Sequence, residues 1–202
     1  MNRQDSVLRT IACDSIAGRT RLTQSELAGR LGLSLSLING VVKKLENISA
    51  VNINRRSFDV ISLNRLLMFW ATHRNLKRDI VYSARADLAV RDIERGLPDE
   101  VAFTGYTAYK FLYDETPSDY SEVYVYSTDR ALEEIKRRFP NSTSKIPNLI
   151  VLKCDEYIQV EIQQHLLEKS SVCKAQLFVD LWNMNEWYSK EFVQMLTSRL
   201  GI

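Results

Sequence analysis

The sequence predicts an α+β fold, with a small helical front that carries one hairpin and a mixed α/β region behind it. Three observations predict it. Two short amphipathic helix patterns meet at Gly32, a pair of β-type runs follows them directly, and strand and helix patterns alternate from about residue 96 onward. The same patterns divide the chain into a front domain at 1–62, a helical connector at 63–95 and an α/β domain at 96–202.

An opening helix is expected from about Asp5 to Ala17, with Val7, Leu8, Ile11, Ala12 and Ile16 on one packing face. Thr23 is placed to cap a second helix through Leu31, whose Leu27 and Leu31 stand four apart on one apolar face. Gly32 supplies the turn, because a residue without Cβ takes positive φ freely. Ser34 then caps a third helix to about Glu46, with Ile38, Val41, Val42 and Leu45 on its buried side. Two helices joined by a short Gly-containing turn make a helix-turn-helix, the unit whose second helix enters the DNA major groove. Residues 51–62, VNINRRSFDVIS, add two β-type runs around Asn54-Arg55-Arg56-Ser57. That is a hairpin with a basic tip, the wing of a winged helix.

The outward positions of the third helix are Ser36, Leu37, Asn39, Gly40, Lys43 and Lys44. Asn39 can pair with adenine in bidentate fashion, Ser36 can meet a base or a phosphate, and Leu37 can touch a thymine methyl. Gly40 reads nothing, and Lys43 and Lys44 suit phosphates better than bases. Arg55 and Arg56 at the wing tip can lie against the backbone or reach into the minor groove. With Ser34 at the helix start, the candidate contacts to double-stranded DNA are Ser34, Ser36, Leu37, Asn39, Lys43, Lys44, Arg55 and Arg56. The other use of a helix-turn-helix is as a dimerisation or scaffold piece, and this third helix is poorly equipped to read a long sequence.

Charge favours the nucleic-acid reading. Residues 1–95 carry 16 basic and 9 acidic side chains, a balance of +7, while residues 96–202 carry 11 and 16, a balance of −5. A basic front suits phosphates, and the acidic back half should face away from them. The apolar run Leu66–Ala71 is too short to span a bilayer, and no signal-peptide pattern opens the chain. Cys13, Cys154 and Cys173 form no CxxC pair and argue against a disulfide frame; with only His73 and His165 they make no zinc site. A reduced, soluble, cytoplasmic protein without cofactor, metal or membrane contact is the expectation.

In the connector, Leu63, Leu66, Leu67, Trp70 and Ala71 recur at helical spacing, and Arg74, Lys77 and Arg78 close the helix. That basic cluster is either a further phosphate contact or a solvated helix end. Trp70 reads as a core residue rather than as a base-stacking platform. Behind it, Val101–Thr104 reads as a strand, Gly105 as a turn, and 106–112 as a helix with Ala108, Phe111 and Leu112 inward. Residues 122–127 alternate as a strand, Asp129 caps a helix to about Phe139, and 148–153 is a fully buried strand type. Residues 156–174 are ambiguous, and 176–183 and 186–200 look helical. The aromatic set Phe178, Trp182, Trp187, Tyr188 and Phe192 fits core packing or, alternatively, a partner surface.

The segments GYTAYKFL (105–112), SEVYVY (121–126) and QLFVDLW…EWYSKEFVQML (176–196) resemble archaeal winged-helix regulators that carry a degenerate nucleotidyltransferase-like domain. Those are similar to the abortive-infection (AbiEi-type) antitoxin regulators. The resemblance implies a DNA-binding front domain that represses its own operon and, in some members, a nucleotidyltransferase toxin as partner. Winged helices often act as dimers on paired half-sites, so a homodimer is expected.

Active nucleotidyltransferases of that kind carry a Gly-Ser turn and then two carboxylates one residue apart on a strand, which hold Mg²⁺ against the triphosphate. Here the turn is Gly105-Tyr106, so the hydroxyl is lost unless Thr104 or Thr107 replaces it. The strand offers Glu122 and then Tyr124 where the second acid should stand. Glu122 and Asp180 therefore read as structural or solvated, and no catalytic residue is assigned. Three functional readings follow: a DNA-binding regulator, an antitoxin-like regulator holding a toxin, and a divergent nucleotidyltransferase.

Overall fold

The computed structural model describes residues 3–141, 146–164 and 170–202. The chain divides into two compact units. The first holds the residues up to Arg74 together with Cys173–Val179 and Thr197–Ile202; the second holds Asn75–Val172 and Asp180–Leu196.

In the first unit, α1 (Arg3–Ile16), α2 (Gln24–Leu31) and α3 (Leu35–Asn47) bring their apolar stripes together. Val7, Leu8, Ile11, Leu27, Ile38, Val42 and Leu45 are all fully buried. The caps are those the residue types predict. Thr23 Oγ1 accepts the Glu26 N–H at 3.1 Å, and Ser34 Oγ accepts the Leu37 N–H at 3.3 Å. Gly32 sits at φ 61°, and its N–H bonds the Ala28 carbonyl.

The chain next forms β2 (Val51–Ile53) and β3 (Phe58–Val60), and β3 lies between β2 and β1 (Arg21–Leu22) in a three-stranded antiparallel sheet. Two residues are too short a run for any periodicity to announce β1. The Asn54 N–H bonds the Ser57 carbonyl at 2.8 Å and closes the hairpin tip. Ser62 caps α4 (Leu63–His73) through the Arg65 N–H. Trp70 is fully buried, and its indole N–H donates to Asp5 Oδ1 at 3.0 Å. Arg74 Nη1 stands 4.0 Å from Asp5 Oδ2, with the Arg74 side chain only 2% exposed. Arg74 is thus neither a phosphate contact nor a solvated helix end; a buried carboxylate holds it. Lys77 and Arg78 are exposed, on a 3₁₀ turn at Leu76–Asp79.

The second unit is a five-stranded mixed sheet in the order β4-β7-β6-β5-β8. Its strands are β4 (Ile80–Ala84), β5 (Val101–Thr104), β6 (Val123–Ser127), β7 (Leu149–Lys153) and β8 (Ser170–Ser171). β6 and β7 run parallel, as do β5 and β8, while β4 with β7 and β5 with β6 are antiparallel. The helices are α5 (Val90–Gly96), α6 (Gly105–Tyr113), α7 (Asp129–Arg138) and α8 (Glu156–Gln164). α9 (Lys174–Trp182) and α10 (Ser189–Leu200) each give residues to both units.

Several sequence expectations need correction. Residues 63–95 are not a helical connector: 63–74 fold with the front, and Ile80–Ala84 is an edge strand. The exposed Ile80 and Val81 leave that strand without a period-two pattern, which hid it. β6 does not alternate, because it is a central strand packed by α5, α6 and α7 and every residue in it is buried. Thr128, not Asp129, caps α7, by accepting the Ala131 N–H. Phe111 and Leu112 are exposed, although Ala108 is buried as expected. Of the C-terminal aromatics, Phe178, Tyr188 and Phe192 are buried, while Trp182 and Trp187 face solvent. His165 and part of the ambiguous 156–174 stretch lie outside the described residues.

Candidate nucleic-acid interface

Ser36, Asn39 and Lys43 lie within about 60° of one another around α3, because successive residues turn about 100°. The buried residues Ile38, Val42 and Leu45 occupy the opposite side, so this face is held outward by the core behind it. An open groove runs from this face to the wing, lined by Gln24, Ser25, Leu35, Ser36, Asn39 and the wing tip Asn54–Ser57. It unites Ser36, Asn39, Arg55 and Arg56 of the expected set. Arg55 and Arg56 are exposed, and among the described residues neither has a hydrogen-bond or ion-pair partner. Two such guanidiniums facing water are suited to phosphate oxygens, which they can bind with paired N–H donors.

The remaining expected residues are placed differently. Ser34 is engaged as the α3 cap. Leu37 and Lys44, seven residues apart, share a helix face turned away from the groove, and Lys44 Nζ donates to Gln4 Oε1 of α1 at 3.1 Å. Lys43 is exposed on the groove face but is not among the groove-lining residues.

The structure adds residues that sequence reasoning missed. Asn39 Nδ2 donates to Gln24 Oε1 at 3.1 Å, so Gln24 orients the residue best suited to read a base. Within the wing, Asn54 Nδ2 donates to Asp59 Oδ2 at 2.7 Å, and Arg21 Nε reaches Ser57 Oγ at 3.2 Å and Asp59 Oδ1 at 3.9 Å. These bonds tie the tip to the sheet. Gln24 and Ser25 directly follow the Thr23 cap, a position where open helical N–H groups favour an anion; that was the available signal.

In the second unit, the residues that the resemblance sets against a nucleotidyltransferase centre are engaged with one another. Gly105 has φ 61°, and a Cβ there would overlap Met184 Cε, so the space above the turn is filled. Thr104 Oγ1 and Tyr126 OH both donate to Asp180 Oδ2 at 2.8 Å, and all three residues are fully buried. Thr107 Oγ1 donates to Glu94 Oε1 at 2.9 Å. Both threonine hydroxyls are therefore engaged with carboxylates. Tyr106 OH and Tyr124 OH donate to the two oxygens of Glu186 at 2.8 and 2.9 Å, and Tyr188 OH donates to Glu122. Burial, then the charge of Glu186, raises the Tyr106 and Tyr124 hydroxyls well above their ordinary range. Burial, then the bond to Glu122, pushes Tyr188 up to about 12. Among the described residues no group of His, Cys, Asp and Glu is arranged to hold a metal ion.

The winged helix-turn-helix DNA-binding family matches residues 19–48, which cover β1, α2 and α3. No curated protein and no solved structure matches the chain. Residues 19–48 of the front unit are thus similar to winged helix-turn-helix DNA-binding domains, and the second unit is a mixed α/β fold. Among the described residues no helix is long and apolar enough to cross a membrane.

Proposed function

We propose that this protein is a transcriptional regulator that binds double-stranded DNA through α3 and the wing and controls its own promoter. The observation that carries the proposal is the groove in which Ser36 and Asn39, within the matched residues 19–48, converge with Arg55 and Arg56 of the hairpin that follows. α3 enters the major groove with Asn39 toward an adenine, and the wing arginines lie on the flanking backbone. The second unit is a dimerisation or partner-binding part. Its acidic excess supports that role, since it disfavours contact with phosphates. The antitoxin-like resemblance extends the proposal to a toxin held by that unit.

We also propose that the second unit is not an enzyme. The bonding of Asp180 to Thr104 and Tyr126, and of Glu186 to Tyr106 and Tyr124, supports this. Carboxylates already engaged with buried hydroxyls are poor ligands for the Mg²⁺ that holds a triphosphate. The experiment is a mobility shift of the full chain on its upstream promoter DNA against random duplex, at two salt concentrations. Tighter, salt-dependent binding to the promoter is expected. Weak and equal binding to both would leave the winged helix as a general anchor and reject autoregulation.

A further inference from the structure

Cys13 on α1 and Cys173, just before α9, lie 160 residues apart in the chain, yet their Sγ atoms are 2.8 Å apart. A disulfide needs about 2.05 Å, so each sulfur has to move by only about 0.4 Å. The two segments are also registered by a buried bond close by. Arg9, one turn before Cys13, donates from Nε to Oε1 of Gln176, three residues after Cys173, at 2.9 Å. Arg9 and Gln176 are 1% and 0% exposed, so this clamp lies away from water. Both residues are half-buried rather than sealed in the core.

We infer that Cys13 and Cys173 are a redox-modification site that closes reversibly into an intrachain disulfide when the protein meets a low-molecular-weight disulfide. The exchange balances without any other oxidant. The thiolate of one cysteine attacks the reagent's S–S bond and releases one reagent thiolate, leaving a mixed disulfide. The second cysteine's thiolate displaces the second reagent thiolate and forms the Cys13–Cys173 bond. The reagent is reduced to two thiols, which take up the two protons the cysteines lose. Closing a loop of this length restricts the unfolded chain, so the oxidised protein unfolds at higher temperature.

Cys154 is the remaining thiol of the chain, and the test removes it. Burial, then the charge of Asp155, raises its thiol to about 11, so little thiolate is present there at neutral pH. The test equilibrates the full-length Cys154→Ser protein with defined ratios of reduced and oxidised glutathione, quenches with acid and reads intact mass and cross-linked peptides. The expected product has lost the mass of two hydrogens, yields a Cys13–Cys173 peptide and reverts with dithiothreitol. Cys13→Ser and Cys173→Ser each abolish it. The disulfide should also form at least about tenfold more favourably in the folded protein than in urea, because the fold supplies the proximity. Glutathione adducts without a cross-link, disulfides only between chains, or equal constants in folded and unfolded protein would each overturn the proposal. The folded-to-urea comparison uses neither cysteine variant, so a variant that misfolds does not weaken the test.

Discussion

Asn39 and Gln24 hold each other across the groove: the Asn39 Nδ2 donates to Gln24 Oε1 at 3.1 Å, linking the outward face of α3 to the first residue of α2. One Asn39 N–H is committed by that bond. The other N–H and Oδ1 remain, which is the pair that adenine N7 and N6 require. Gln24 therefore restrains the rotamer of Asn39, and under the proposed function its own Nε2 is left to donate to a phosphate.

Asn39→Ala is expected to lower sequence preference more than total affinity, by about 1–3 kcal/mol at one base pair. Gln24→Ala should cost less, about 0.5–1.5 kcal/mol, because it removes the restraint and not the reader. Competition binding on a selected operator and on random duplex measures both, and the double variant closes the cycle. Strictly additive losses would mean that Gln24 and Asn39 act independently.

Arg55→Ala combined with Arg56→Ala is expected to weaken binding to every duplex alike. The slope of log affinity against log salt should flatten by about one to two, roughly one for each phosphate left without its arginine. Lys44→Ala should leave that slope in place, since Lys44 is turned toward Gln4 of α1. Titrations at several salt concentrations test both. An unchanged slope in the double arginine variant would remove the wing from the interface.

The front unit was largely legible because its signals are local. Thr23, Gly32 and Ser34 act within one helical turn, and the stripe Ile38, Val41, Val42, Leu45 repeats at helical spacing on a short element. The Arg55-Arg56 tip was legible for the same reason. What escaped depends on partners far along the chain. Arg74 looks like an ordinary basic helix end until Asp5 is beside it, and the bond from Asn39 to Gln24 exists only once α2 and α3 are packed. β4 pairs with β7 some seventy residues later and exposes two consecutive apolar residues at its start, so neither periodicity nor composition marked it. Cys13 and Cys173 were separated in the same way.

Asp5 should be one of the costliest single positions in the front unit. Its two oxygens face the Trp70 indole N–H and the Arg74 guanidinium, in surroundings where all three side chains are buried. Asp5→Ala withdraws the carboxylate from a buried cation and is expected to lower stability by about 3–5 kcal/mol. Asp5→Asn keeps an acceptor for the indole and should cost less, about 1–3 kcal/mol. Urea unfolding followed by Trp fluorescence checks this through the midpoint at constant slope. Equal, sub-kilocalorie losses in both variants would show that Asp5 is not what holds Arg74.

The tyrosine hydroxyls of the second unit predict an alkaline limit to the fold. Tyr188 has its folded-state value raised to about 12 against an ordinary 10, and Tyr106, Tyr120 and Tyr124 are raised in the same sense. A raised value means that the folded protein holds the proton more tightly than the unfolded chain does. The stability contributed by Tyr188 is therefore complete below pH 10 and is lost as pH climbs from 10 to about 12. Tyr106, Tyr120 and Tyr124 add to the fall over the same alkaline range, each steepening it by up to about 1.4 kcal/mol per pH unit. The expected result is that tyrosinate absorbance appears together with the loss of helical circular dichroism, in one cooperative step. Tyr188→Phe should make the pH dependence of stability shallower between pH 10 and 12, although it also deprives Glu122 of its donor and lowers stability at neutral pH. If Tyr106, Tyr120, Tyr124 and Tyr188 ionised near pH 10 with circular dichroism unchanged, their hydroxyls would have to be open to water, and the bonds to Glu186, Glu94 and Glu122 could not be what closes this unit.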